Sequence, residues 1–76
     1  MIKIYSTETC PYCVAAKQFF KDNHLEYTEF DVGSDRAAAE EMIARSGQLG
    51  VPVIDIDGTI VVGFNRPKIK ELLKLS

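Results

Sequence analysis

The sequence predicts an α/β domain: a mixed four-stranded sheet covered by three helices, in the chain order β-α-β-α-β-β-α. Three observations lead there. A strand–helix–strand run opens the chain, which forces a parallel pair joined by a crossover helix. Two later apolar runs are joined by Asp57-Gly58, a strong signal for a tight antiparallel hairpin. Helical and strand periodicities alternate along the whole chain, so helices and strands pack on each other rather than segregating.

The elements follow in order. "MIKIYS" alternates Ile2 and Ile4 against Lys3 and reads as a short strand. Pro11 suits the first turn of a helix, where its missing N–H costs nothing, and that helix runs through "YCVAAKQFFKDN". Ala15, Ala16, Phe19 and Phe20 are its expected inner face, and Lys17, Gln18 and Lys21 its wet face. "LEYTEFDV" alternates Leu25, Tyr27 and Phe30/Val32 against Glu26 and Glu29, a second strand with an irregularity near its end. Gly33-Ser34-Asp35 supplies a break and a cap. "RAAAEEMIARS" is a helix with Ala39, Met42 and Ile43 on one face, stopped by Gly47. "VPVIDI" and "TIVVGF" are the hairpin strands. "RPKIKELLKLS" closes the chain as a helix whose buried stripe is Ile69, Leu72 and Leu73.

The totals bound the function. The 76 residues make one domain, residues 1–76, with a small core. At 46% hydrophobic and 26% charged the composition is that of a globular chain. Nine basic residues face eleven acidic ones, a net charge of -2 with no basic run, so no nucleic-acid partner is expected. No apolar run approaches the roughly 20 residues that span a bilayer, and "MIKIYSTETC" lacks the apolar core of a signal peptide. The expectation is a cytoplasmic monomer with no membrane partner, in a compartment where paired thiols are more often catalytic or metal-binding than structural.

Both cysteines of the chain fall in "TCPYCV", Cys10 and Cys13. Four readings compete for them. A structural zinc needs four ligands, and beyond the two thiols there is only His24, at the far end of the same helix and out of reach both as a ligand and as a base for Cys10. A structural disulfide closing so short a loop gains roughly 2 kcal/mol, against about 3 for a 15-residue loop. Core thiols would explain Cys13, but Cys10 lies at a turn between Thr9 and Pro11. The fourth reading is a redox pair, and local physics favours it. Cys10 falls at the helix N-cap, where unpaired N–H groups and the positive end of the helix dipole stabilise a thiolate, the nucleophilic form. Cys13, one turn in, is placed to attack a mixed disulfide at Cys10. Pro11 fixes φ between them. Glu8 opposes the thiolate if it points inward. A C-x-x-C beside a βαβ pattern is a moderately strong redox signal.

With these residues in view the chain resembles the glutaredoxin family. The resemblance begins with Cys10-Pro11-Tyr12-Cys13, continues through "VAAK" and the helix–strand order, returns at Val51-Pro52 and ends at Gly63-Phe64, so it covers essentially the whole chain. It implies a thioredoxin fold and a dithiol–disulfide oxidoreductase with Cys10 and Cys13 as its catalytic residues. It also implies a cis Val51–Pro52 peptide facing the cysteines. From the residues alone Pro52 is an ordinary strand-start proline. The implied substrate surface is Pro11, Tyr12, Val51, Pro52, Gly63, Phe64 and Asn65, although a phenylalanine at the position of Phe64 is more often core than contact and Asn65 is equally readable as a helix cap. The backbone of Val51 would pair with a substrate chain as a short added strand. No metal or tightly bound cofactor is implied; glutathione would be a co-substrate. The partners would be a disulfide-containing protein or glutathionylated substrate, and either glutathione or a thioredoxin-reductase-type flavoenzyme as electron source.

The departures concern glutathione. Many glutaredoxins carry Thr-Val-Pro, a glycine pair before the last helix, and a Lys or Arg three residues before the first cysteine. Here those positions hold Gly50-Val51-Pro52, Val62-Gly63 and Thr7, with Arg66 as a compensating charge. The run "GFNRP" resembles the glycine-phenylalanine-arginine-proline of NrdH-type redoxins with Asn65 inserted. Those redoxins take electrons from thioredoxin reductase and pass them to ribonucleotide reductase. An NrdH-type electron donor is therefore one alternative. An iron–sulfur cluster carrier, with Cys10 and glutathione as ligands, is another, and a non-enzymatic interaction domain is a third.

Overall fold

The computed structural model describes residues 1–48 and 50–74. The strands are β1 (Ile2–Ser6), β2 (Thr28–Asp31), β3 (Val53–Ile56) and β4 (Thr59–Val62); the helices are α1 (Pro11–Asp22), α2 (Arg36–Ser46) and α3 (Arg66–Leu73). They form one four-stranded sheet in the order β2-β1-β3-β4. β1 runs parallel to β2 and antiparallel to β3, and β3 is antiparallel to β4. This is the thioredoxin fold, with the mixed sheet and element order expected from the sequence.

Alternation along the strands explains the layering. Ile2 and Ile4 of β1, Ile54 and Ile56 of β3 and Val61 of β4 pack with Ala16, Phe19 and Phe20 of α1 and Ile69 of α3. On the opposite face Tyr5 and Val53 pack with Ala38 and Met42 of α2. The sheet is thus covered on both sides. The supposed irregularity in the second strand is the same alternation: Leu25 and Tyr27 join the α1 side, Phe30 and Val32 the α2 side.

Several expectations need correcting. The strands are shorter than their apolar runs, because pairing ends where the chain turns; residues 25–27 pack without joining the sheet. Ala15 is exposed, as one turn of α1 leaves room for only one of the two alanines against the sheet. In α2 the buried residues are Ala38 and Met42, while Ile43 is 39% exposed, so the inner stripe lies one position earlier than expected. Lys17 does not stand in water: it is half-buried and ion-paired to Glu29 at 2.6 Å. In the last helix Ile69 is fully buried, with Leu72 and Leu73 half-buried against the core. Leu75 and Ser76, included in the expected span of that helix, lie outside the described residues.

Side chains cap each helix start. Asp35 accepts the Ala38 N–H at 3.1 Å and Asn65 that of Lys68 at 3.3 Å. Gly47 ends α2 at φ 75°, a left-handed conformation that favours glycine. Asp57 and Gly58, at φ 50° and 95°, turn the β3–β4 hairpin with the positive angles its tight turn needs.

Candidate functional site

The register decides which loops meet. Tyr5 of β1 pairs with Val53, and Val53 with Val62. The end of β1 that leads to Cys10, the start of β3 after Pro52 and the end of β4 before Gly63 therefore share one end of the sheet.

Cys10 is the N-cap of α1, at φ −92° and ψ 109°, and its Sγ accepts the Cys13 N–H at 3.2 Å. A sulfur thus takes the place of the oxygen that usually satisfies an orphan amide at a helix start. Pro11 follows inside the first turn, and Val14 N–H bonds to the Cys10 carbonyl at 3.2 Å. Cys10 retains 9% of its surface and Cys13 none. Both are free thiols. Burial above all pushes the Cys13 thiol up to about 12, with the hydrogen bond and charge of Cys10 adding to it; the Thr7 backbone and the Lys17 charge pull the other way. Glu8 is exposed.

The other expected site residues divide into two groups. Pro11 and Tyr12 are exposed beside the cysteines, Tyr12 at 68%. The Val51–Pro52 peptide is cis. Pro52 is fully buried, and Val51 is half-buried, outside the β3 pairing. Gly63, at φ 80°, donates its N–H to the Pro52 carbonyl at 2.8 Å, tying these two loops together. Phe64 turns away from this rim. Its ring meets Phe19 of α1 edge-on, centroids 5.9 Å apart, and joins the core. Asn65 acts through its side chain as the cap of α3. Arg66 lies over the same Phe19 ring, 5.5 Å from its centroid, a cation–π contact that fixes the start of α3 on α1.

Sequence reasoning passed over one arrangement. Beneath α1 the Ser6 hydroxyl and the Lys17 ammonium both reach Glu29 Oε2, at 2.9 and 2.6 Å. Ser6 is 1% exposed. The available signal was spacing, since Lys17 follows Cys13 by one helical turn, but its partner on β2 becomes visible only when the parallel strand is in place. His24 sits exposed beyond the end of α1, far from the sulfurs along the helix. Among the described residues no helix is long and apolar enough to cross a membrane.

Comparison with known proteins gives a consistent result. Residues 2–61 match the model of the glutaredoxin family. A glutaredoxin-like protein encoded in the rubredoxin operon of Clostridium pasteurianum is 47% identical over 74 residues, spanning 97% of this chain and 99% of that one. Glutaredoxin 3 of Escherichia coli is 40% identical over 62 residues, 82% of this chain and 75% of that one. Among solved structures, the thioredoxin-like protein BC3987 superposes with a TM-score of 0.89 at 38% identity, covering 95% of this chain and 99% of the other. The glutaredoxin-like NrdH-redoxin of E. coli, described as having a thioredoxin-like activity profile, superposes with a TM-score of 0.81 at 27% identity over 99% and 93%.

Proposed function

This chain belongs to the glutaredoxin family, and from that premise we propose that it reduces disulfides through Cys10 and Cys13. The Cys10 thiolate attacks one sulfur of a substrate disulfide. A Cys10–substrate disulfide forms, and the other substrate sulfur leaves as a thiolate and takes a proton from water. Cys13 then attacks Cys10 Sγ, closing the Cys10–Cys13 disulfide and releasing the second substrate thiol. Two electrons have passed from the pair to the substrate, and two thiols of a reductant return them.

The observation that carries this reading is the asymmetry of the pair. Cys10 Sγ receives an amide hydrogen bond at the start of α1, whereas Cys13 is sealed and held protonated. The first is the attacking sulfur and the second the resolving one. Pro11 and Tyr12 line the approach, and Val51, outside the β3 ladder, offers its backbone to an extended substrate segment held beside Pro52 and Gly63. Phe64 and Asn65 serve this surface indirectly, by holding the Gly63 loop and α3 in place.

The test is kinetic. Cys10→Ser abolishes reduction of any disulfide. Cys13→Ser accumulates the mixed disulfide, visible as an adduct in the mass spectrum, and retains turnover only on glutathionylated substrates. Full activity in Cys10→Ser would overturn the mechanism.

A second reading concerns the electron source. Thr7 stands where many relatives place a cation for glutathione, and Arg66, the candidate replacement, is engaged with Phe19. Both favour an NrdH-type donor recycled by a thioredoxin-reductase-type flavoenzyme over one recycled by glutathione. NADPH oxidation in the presence of each reductase system in turn decides between them: turnover with glutathione and glutathione reductase alone would contradict this second reading.

A further inference from the structure

The exchange chemistry above makes no use of the Ser6–Glu29–Lys17 cluster, yet its lysine stands one helical turn from the resolving cysteine. Cys13 and Lys17 occupy successive turns of one face of α1. A helical side chain leans toward the N-terminus and covers the preceding turn, so Lys17 reaches back toward Cys13. Glu29 stands on the α1 side of β2 and holds the Lys17 ammonium at 2.6 Å, while Ser6 braces the same carboxylate oxygen from β1 at 2.9 Å. An isolated surface ion pair does little. This one joins a helix to two strands, and the Lys17 side chain is only 23% exposed.

We propose that Lys17 is a positioning residue for the resolving step: anchored by Glu29, its ammonium is the fixed positive charge that supports the anion Cys13 Sγ becomes when it attacks the mixed disulfide. The inference rests on the dithiol mechanism above. In the reduced protein, burial and then Cys10 hold Cys13 protonated. Once Cys10 is bound to substrate its charge is gone. The Thr7 backbone and Lys17 are then left to offset burial. Cys13 gives its proton to water, its thiolate attacks Cys10 Sγ, and the Cys10–substrate bond breaks with its electron pair on the substrate sulfur, which takes a proton from solvent.

Lys17 does not accept the Cys13 proton. The Glu29 hydrogen bond raises its pKa and keeps it charged, and the same contact, with Ser6, lowers that of Glu29 and makes it a poor base. The groups acting on Cys13 are Cys10, the Thr7 backbone and Lys17 on its own helix; Glu29 and Tyr27 act in turn on Lys17, and Lys17, Ser6 and Lys21 on Glu29.

An aromatic disulfide, dithiobis(nitrobenzoate), separates the two steps, because attack by Cys10 releases the first coloured thiolate and resolution by Cys13 the second. In Lys17→Met the ratio of second to first rate at neutral pH falls roughly threefold to tenfold, the effect of one partly screened charge at short range. The pH midpoint of the second phase moves up. Lys17→Arg restores the ratio to within about twofold, since charge rather than shape is the requirement. Lys17→Gln gives the same readout as methionine should the apolar side chain disturb folding. An unchanged ratio and pH profile in the uncharged variants, or an arginine variant as slow as they are, overturns the inference. Release of both thiolates by Cys10→Ser would instead sink the underlying mechanism.

Discussion

One sulfur is sealed and its neighbour is open to a helix start, and this difference has a thermodynamic consequence at Cys13 itself. Its thiol is raised from an ordinary 9.0 to about 12, chiefly by burial. The folded chain therefore holds this proton at a pH where the unfolded chain has lost it, so stability falls as pH rises from about 9 to about 12. Below that window the contribution is fully present. The Tyr5 phenol, also raised by burial, adds a loss of the same sign at high pH. Melting temperatures of the reduced protein across this range should decline more steeply than those of Cys13→Ala. The two curves are compared by slope, since removing a buried side chain lowers stability at every pH. Equal slopes would mean that Cys13 titrates as an open thiol.

At the scale of elements, α2 is attached to the sheet by polar as well as apolar contacts. Arg45 reaches the buried Asp55 of β3 at 2.7 Å, and the Tyr5 hydroxyl donates to Glu41 at 3.1 Å. Asp55 also accepts the Gly58 N–H at 2.8 Å, which ties the hairpin turn to the same carboxylate. Arg45→Met leaves that carboxylate without its cation and should cost about 2 kcal/mol in urea unfolding. A loss below a few tenths of a kcal/mol would show that solvent replaces the arginine. Elements of this kind were legible to different depths. Helix and strand order followed from periodicity, the hairpin from Asp57-Gly58 and the caps from Asp35 and Asn65, because these are local signals. The Arg45–Asp55 and Lys17–Glu29 pairs were not, because each joins segments that only the sheet brings together. Ile43 was misplaced because the alanine-rich α2 carries too weak an apolar stripe to fix its rotation, whereas Phe19 and Phe20 fixed α1 against the sheet and only Ala15, on a turn with room for one alanine, was misplaced there.

In the whole molecule, one sheet end gathers what the chain separates: the β1–α1 turn with both cysteines, the cis Val51–Pro52 bond and the Gly63 loop hydrogen-bonded to it. The C-x-x-C motif at the heart of the proposed site was legible because its four residues are contiguous and sit where a strand meets a helix. The meeting of the three loops came from the family resemblance, since nothing local in Val51-Pro52 announces it. The division of labour within the pair is the claim on which the rest depends. Brief alkylation of the reduced, folded protein at neutral pH, with the labelled residue located by peptide mass spectrometry, tests it directly. The label is expected on Cys10 alone, with Cys13 modified only after unfolding. Equal labelling of the two, or labelling of Cys13 first, would contradict the assignment of attacking and resolving sulfurs.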